Sequence, residues 1–405
     1  MDSWIKENVD LVVFASVMLL VFIGIASIYS ATSDSQSVAF FYRQMMFAGT
    51  GFLLMLVIAL TPFRTLQLLS YPLYGLSVIM LMMILVMGKV VAGSKSWFGV
   101  GGFGLQPSEL VKVTTILALA AFLSQRTVSL HRVKDVAITF GLVLFPVGLI
   151  LLQPDMGTGI IYVLTLLLVL YWAGASNFLM LSLIVPGIAA IASLFGTTAF
   201  VVVIAATLLI LLLLRENRLL SAVIFSLTVL VGASVQFIFG RLAPHQQKRI
   251  LTFLNPDADP LGAGYNVIQS KIAIGSGGLL GKGYLQGTQT QLNFLPAQWT
   301  DFIYCVPSEE FGFLGAFVIL SLLTILLFRG VQIASSVKSR YASIVAIGVT
   351  STLAVHTIIN IGMSVGIMPV IGVPLPFLSY GGSNLITNMI MAGLLLNLYA
   401  NRKEY

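Results

Sequence analysis

Charge is what this sequence has least of. Its 405 residues hold 21 Lys and Arg and 14 Asp and Glu, 9% in all, where an ordinary soluble domain has about 25%. So few charges cannot cover a water-facing surface of this size, which excludes a soluble enzyme. With 58% hydrophobic residues the chain is also not disordered, since disorder needs low hydrophobicity and high charge. Cysteine is nearly absent: Cys305 stands alone in an apolar stretch, which excludes disulfides and zinc knuckles. The three histidines, His131, His245 and His356, are too scattered for a metal motif. The net charge is +7, yet no basic run interleaved with aromatics occurs, so no nucleic-acid partner is expected. No repeat of 20–50 residues is present.

What the chain has instead is long apolar runs. They fall at roughly 10–29, 45–61, 68–88, 108–123, 136–152, 158–173, 177–195, 199–214, 219–239, 302–328, 342–365 and 383–399. A spanning helix takes about 20 residues, so these predict an all-α polytopic membrane protein of about 12 transmembrane helices. The first run is longer than a signal-peptide core and is followed by others, so no removable leader is expected. Twelve of the basic residues fall on one set of ends and loops, among them Arg64, Arg126, Arg132, Arg329 and Arg402. The positive-inside rule then puts both termini in the cytoplasm. The long segment 240–300 is expected on the outer face, the one stretch of soluble character in a single domain spanning 1–405. Within it, Lys248–Leu254 and Val267–Ile274 read as amphipathic pieces at the membrane surface.

Polar residues inside such a chain are costly and are functional candidates by default. Pro107 suits a helix start, which puts Glu109 in the first turn and Lys112 on the same face. The two form either a functional pair or a structural one between helices. Asp155 follows Gln153-Pro154 in a turn, where capping of the next helix is the simplest reading. In the outer loop, Asp257 and Asp259 alternate with prolines in a stiff turn; a carboxylate held so can act as a general base, and plain turn chemistry is the alternative. Gly275 to Gly283 with Lys282 forms glycine-rich backbone that can approach phosphate oxygens. Pro374 to Asn384 interrupts an apolar run with Ser379 and Ser383, and Ser383 is expected to cap the last helix. Arg43 is either a phosphate clamp or an interfacial side chain. Asp301, Glu309 and Glu310 are placed in the tenth span, and His356 and Asn360 share a face of the eleventh. The broken, polar segments gather on the outer side, which fits an anionic, amphiphilic ligand with its head group outside and its tail in lipid.

These stretches carry a resemblance. Tyr42-Arg43-Gln44, Trp97 to Lys112, Gln153 to Thr158, Asn255 to Gly283, Phe294 to Phe302, Glu309 to Gly312 and Gly372 to Ser383 resemble the SEDS family of bacterial shape, elongation, division and sporulation proteins. The block Asp259 to Tyr265 with Gln269-Ser270-Lys271 is the most specific of them. Gly287-Thr288-Gln289 and Thr300-Asp301-Phe302 are closer to the elongation branch than to the division branch. The resemblance implies a peptidoglycan glycosyltransferase of the bacterial inner membrane that polymerises lipid II onto an undecaprenyl-linked glycan strand. It implies Asp259 as the essential outer-loop aspartate, the pair Glu109–Lys112, and a further essential carboxylate at Asp155. Arg43, Gln269, Lys271, Ser379 and Ser383 are expected to bind substrate. A divalent cation, Mg or Mn, is expected at the pyrophosphate. Partners are expected to be a class B penicillin-binding protein and other membrane proteins of the elongation machinery. The family core has ten spans, so 177–239 is expected to add a helix pair. The rival reading is a flippase for lipid-linked precursors, because broken helices and buried charges suit transport as well.

Overall fold

The computed structural model describes residues 9–33, 38–91, 94–100, 103–214, 218–241, 247 and 264–402. Among the described residues, twelve long helices follow the twelve apolar runs in order. They are α1 (Leu11–Ala31), α2 (Val38–Leu60), α3 (Phe63–Met87), α4 (Pro107–Leu123), α5 (Val133–Leu151), α6 (Met156–Trp172), α7 (Asn177–Phe195), α8 (Thr197–Leu214), α9 (Arg218–Arg241), α13 (Gly312–Ser336), α14 (Arg340–Ser364) and α15 (Gly382–Ala400). Three short helices, α10 (Tyr265–Ser276), α11 (Thr288–Gln291) and α12 (Cys305–Glu310), lie between α9 and α13. Nine of the described helices are long and apolar enough to cross a membrane, and two shorter apolar ones are α6 and most of α8. The chain is a multi-pass, helical membrane protein.

One element departs from all-α. Strands β1 (Lys89–Val91), β2 (Ser94–Val100) and β3 (Phe103–Leu105) form an antiparallel sheet between α3 and α4. Lys89 pairs with Trp97, and Phe98 with Leu105. Trp97 lies over Gly104, where a Cβ would fall 2.7 Å from Cε3 of the ring.

Several helices start where the sequence supplies a cap or a proline. Asp10 accepts from the backbone N–H groups of Val12 and Val13 at the start of α1. Pro107 takes the first position of α4 behind Gln106, where its missing N–H costs nothing. Asp155 caps α6 and Ser176 caps α7.

The chain divides into two compact units, one of residues 1–173 with 266–405 and one of 174–265. In the larger unit α14 and α15 form the centre: 83% and 78% of their apolar windows are buried, against 17% for α2. Glycines let these helices approach closely, as small residues do in membrane bundles. A Cβ on Gly330 of α13 would fall 2.1 Å from Thr350 Oγ1 of α14, and one on Gly348 of α14 would fall 2.6 Å from Ile116 of α4. Gly24 of α1 meets backbone: a Cβ there would lie 2.7 Å from Leu378 Cα and 2.8 Å from the Phe377 carbonyl. The smaller unit holds α7, α8 and α9, so 177–239 does contain three helices. There the Phe200 ring of α8 occupies the space beside Gly232 of α9.

Two readings of the sequence are corrected. The tenth run, 302–328, is not one span: α13 runs Gly312–Ser336, and Asp301, Glu309 and Glu310 precede it. Phe302 and Cys305 are apolar because they pack with Ala273 and Leu295; burial in protein and burial in lipid select the same residue types. The segment 264–300 is folded, with Val267–Ile274 inside α10. Lys248–Leu254, Asp257 and Asp259 lie outside the described residues.

Gly24→Val should push α1 off the 374–380 turn at a cost of about 1–3 kcal/mol, read as a lower melting temperature of the purified protein in detergent. Gly75→Ala, with nothing within 4 Å of the added Cβ, should not lower it.

Candidate active site at one end of the bundle

The chain passes back and forth, so alternate connections share an end. At one of these ends the segments 88–91, 94–100, 103–107, 151–156, 297–311 and 364–382 meet the C-terminus of α1 and the N-terminus of α2. Most of the described polar residues singled out in the sequence are here.

Deepest is a charged group. Lys112 Nζ of α4 lies 2.9 Å from Glu109 Oε1, one turn back. It also lies 2.8 Å from His356 Nε2 of α14. His356 Nδ1 is 3.1 Å from the Pro374 carbonyl, so the ring donates there and leaves Nε2 to accept from the ammonium. All three side chains are buried. An ammonium out of water must be neutralised and hydrogen-bonded where it stands, and Glu109 and His356 do both. Glu109 keeps a second oxygen, Oε2, with no hydrogen-bond partner among the described residues. Tyr162 of α6 donates to the Ser108 carbonyl at 2.8 Å, which ties α6 to the same turn of α4.

Above this group lies a ring of hydrogen bonds around Gln106. Its backbone N–H donates to Ser383 Oγ at 2.9 Å. Its side-chain amide donates to Asp155 Oδ2 at 3.2 Å. Asp155 caps α6 through Thr158 N–H at 3.0 Å and also accepts from Thr158 Oγ1 at 2.9 Å. Asp155 therefore both caps a helix and faces α4. Ser383 does not cap α15: that helix begins behind Gly381 without a side-chain bond, and Ser383 instead joins Gln106 and the Gly104 carbonyl. Its reach across to another helix outcompetes the local cap.

The 372–381 turn is held from several sides. Asn360 of α14 donates to the carbonyls of Val373 at 2.7 Å and Asp301 at 2.8 Å. Ser379 is fully buried; its hydroxyl donates to the Thr300 carbonyl at 2.7 Å and accepts from Leu375 N–H at 2.8 Å. Gln44 of α2 donates to the Ser379 carbonyl at 3.2 Å and accepts from Gly381 N–H at 3.2 Å. Ser379 thus shapes the turn with both its proton and its oxygen spent. Arg43 sits in the second turn of α2, since that helix begins at Val38; its side chain is exposed and hydrogen-bonds Tyr380.

Glu309 and Glu310 build the neighbouring scaffold. Glu309 accepts from Lys282 Nζ at 2.8 Å, Gln289 N–H at 2.9 Å and Thr290 Oγ1 at 2.8 Å. Burial pushes its carboxyl up, but these bonds outweigh it and hold it below the usual range. Glu310 accepts from Ser30 and from Leu285 N–H, and burial raises it. Two of the glycines of 275–283 make room for this backbone. A Cβ on Gly277 would fall 2.1 Å from the Ser308 carbonyl, and one on Gly281 would fall 2.0 Å from that of Glu310. Lys282 is likewise spent on Glu309 and Thr288.

The structure thus brings Glu109 and Lys112 together, and Asp155 with Ser383 through Gln106. Gln269 and Lys271 lie on α10. Lys271 is exposed, its stem against Gly366, where a Cβ would fall 2.3 Å from Lys271 Cε. Sequence reasoning placed His356 and Asn360 on one face without their partners, and it missed the linking amides of Gln44 and Gln106. Their partners are distant in sequence, and no local signal marks them.

The chain is similar to known proteins along nearly its whole length. The family model FtsW/RodA/SpoVE, described as cell cycle protein, matches residues 8–200 and 184–404. The peptidoglycan glycosyltransferase MrdB of Escherichia coli K12 is 35% identical over 405 aligned positions, covering 99% of this chain and 96% of that one. A solved chain from a peptidoglycan synthase complex that coordinates polymerisation and crosslinking superposes with a TM-score of 0.75 at 32% identity, covering 98% and 99% of the two chains. The crystal structure of the rod shape determining protein RodA of Thermus thermophilus gives 0.65 at 27% identity, covering 97% of each. With the fold, the charged group in α4 and both matches running nearly end to end, the chain belongs to the FtsW/RodA/SpoVE family.

Proposed function

We propose that the chain is a peptidoglycan glycosyltransferase that polymerises lipid II at the outer face of the bacterial cytoplasmic membrane, in cell elongation and shape maintenance. The observation that carries this reading is the buried Glu109–Lys112–His356 group directly beneath the polar end. A protein meeting an anionic lipid head group at the bilayer edge needs fixed charge and dipoles there, because preorganised electrostatics is the largest source of catalysis in such sites. Orientation is supported by the opposite end, which carries Arg64, Arg126, Arg132, Lys134, Arg329, Lys338, Arg340 and Arg402.

In this reading the acceptor lipid II presents its sugar hydroxyl to Asp259, which takes the proton as general base. The hydroxyl oxygen attacks the anomeric carbon of the growing strand, and undecaprenyl pyrophosphate leaves. An α-linked donor giving a β-linked chain requires one direct displacement with inversion. Base assistance supplies typically about 10²–10⁴-fold. Arg43, Lys271 and the Lys112 field offer positive charge to the leaving pyrophosphate; Asp155, Gln269, Ser379 and Ser383 shape or line its surroundings. Among the described residues no group of three His, Cys, Asp or Glu is placed to hold a metal. The expected Mg or Mn would be held chiefly by the pyrophosphate oxygens with one or two carboxylates, where it would stabilise the leaving group. A class B penicillin-binding protein is the proposed partner, supported by the similarity to a chain of a polymerising and crosslinking complex.

The test is chemical. The purified chain in detergent should convert labelled lipid II to polymer on a gel, with and without the cognate penicillin-binding protein. A micelle has no sides, so polymer there cannot come from flipping. Asp259→Asn should lower the rate by at least about 100-fold, while Asp257→Asn should keep most of it; near-full activity of Asp259→Asn would remove the base assignment.

Lys112→Met leaves Glu109 buried without its cation and should cost about 3–5 kcal/mol of stability, read as a lower melting temperature. Adding Glu109→Gln should restore most of the melting temperature but not polymerisation. Full activity of that double variant, or of the charge swap Glu109→Lys with Lys112→Glu, would make the pair purely structural.

A further inference from the structure

Asp301 stands out among the acids near the site end. Glu109, Asp155, Glu309 and Glu310 each have hydrogen-bond or ion-pair partners. The Asp301 carboxylate has none among the described residues, although its backbone is among the most firmly held in the molecule. The carbonyl before it, of Thr300, accepts from Ser379 Oγ at 2.7 Å. Its own carbonyl accepts from Asn360 Nδ2 at 2.8 Å, and the same amide grips Val373 across the site. Phe302 and Ile303 after it are fully buried. The segment turns into place through Ala297, and the facing turn through Phe377, both non-glycine residues in the left-handed region (φ 57° and 65°). Strained backbone of this kind persists where the surroundings over-determine it, often around functional groups.

The carboxylate also faces space. Gly372, at φ +72°, lies against it, and a Cβ built there would meet only Asp301 Oδ2, at 3.6 Å, with no other atom within 4 Å. Asp301 itself is only partly buried, so a ligand can reach it.

We propose that Asp301 is a second catalytic carboxylate of this site, accepting a hydrogen bond from a hydroxyl of the lipid-linked sugar beside Gly372, with Asn360 as its positioning residue. The inference rests on the glycosyltransferase reading and deepens it. A sugar hydroxyl is a chemistry that fits: an ionised carboxylate is acceptor-only, a hydroxyl is a donor, and the O–H···O⁻ bond between them is charge-assisted.

The ionisation of Asp301 provides the signature. Burial lifts its carboxyl to about 6. The groups around it are accounted for. From α14 come Asn360 and, one turn away, His356, already taken by Lys112 and Pro374. From the 372–381 turn comes Tyr380, bonded to Arg43. From 294–300 comes no charged side chain. On α10, which packs on Phe302, Lys271 lies against Gly366. As pH falls through about 6, Asp301 gains a proton and stops acting as a carboxylate acceptor, so turnover should fall with it.

The experiment is kcat/KM for lipid II polymerisation by the full chain in detergent across pH 5–8. The wild type should lose activity on the acid side with a midpoint near 6. Asp301→Asn should lower kcat/KM about 10- to 100-fold at pH 7.5 and abolish that midpoint. Asp301→Glu should recover part of the activity with a displaced midpoint, which separates lost chemistry from lost folding. Asn360→Ala should fall between, with the midpoint retained. Wild-type rates with an unchanged acid limb in Asp301→Asn, or an unmoved limb in Asp301→Glu where Asp301→Asn fails to fold, would overturn the inference. Absence of polymer from the wild-type chain would remove the glycosyltransferase reading itself and this inference with it.

Discussion

A lysine ammonium inside an apolar bundle must be neutralised on the spot, and the polar end of this protein is arranged around that demand. Lys112 has Glu109 on its own helix at 2.9 Å and His356 on α14 at 2.8 Å. The histidine can accept only because its other nitrogen donates to Pro374. One charge therefore couples α4, α14 and the turn before α15. Removing any member leaves a buried polar group without its partner, which costs far more than the pair contributes.

From that centre the rest of the end is reached by amides and hydroxyls. Gln106 links α4 to Asp155 and Ser383; Asn360 links α14 to Asp301 and Val373; Gln44 links α2 to the Ser379 turn. In lipid, non-helical backbone survives only where protein satisfies it. These three side chains do this for segments broken by proline and glycine. The result is irregular backbone that stays rigid, which is what a site for a charged lipid head group requires.

Much of this was legible in the sequence because its cause is local. Pro107 fixes a helix start, so the three-residue step to Lys112 had to pair it with Glu109. Asp155 in a turn had to cap α6. The sheet has a local signal too: Ala92-Gly93 and Gly101-Gly102 separate three short runs, as hairpin turns do. What was not legible depends on distant partners or on ambiguous composition. His356 is 244 residues from Lys112, and nothing near it announces a role. Ser383 sits where a cap belongs but bonds Gln106 instead. Phe302 to Val306 reads as membrane span because apolar residues look alike whether lipid or α10 covers them. Glycines near a lysine suggest phosphate, while here Gly277 and Gly281 admit the backbone of Ser308 to Glu310.

The central claim is that this one end of the bundle receives the lipid-linked sugar. A lipid II analogue carrying a photoreactive diazirine on its sugar, crosslinked to the purified chain and mapped by mass spectrometry, tests it most directly. The account predicts adducts confined to the polar end, at residues 40–44, 104–108, 153–158, 297–301 and 372–384. Adducts concentrated at the opposite end, around 60–64, 337–342 and 397–402, or spread evenly over both ends, would contradict it.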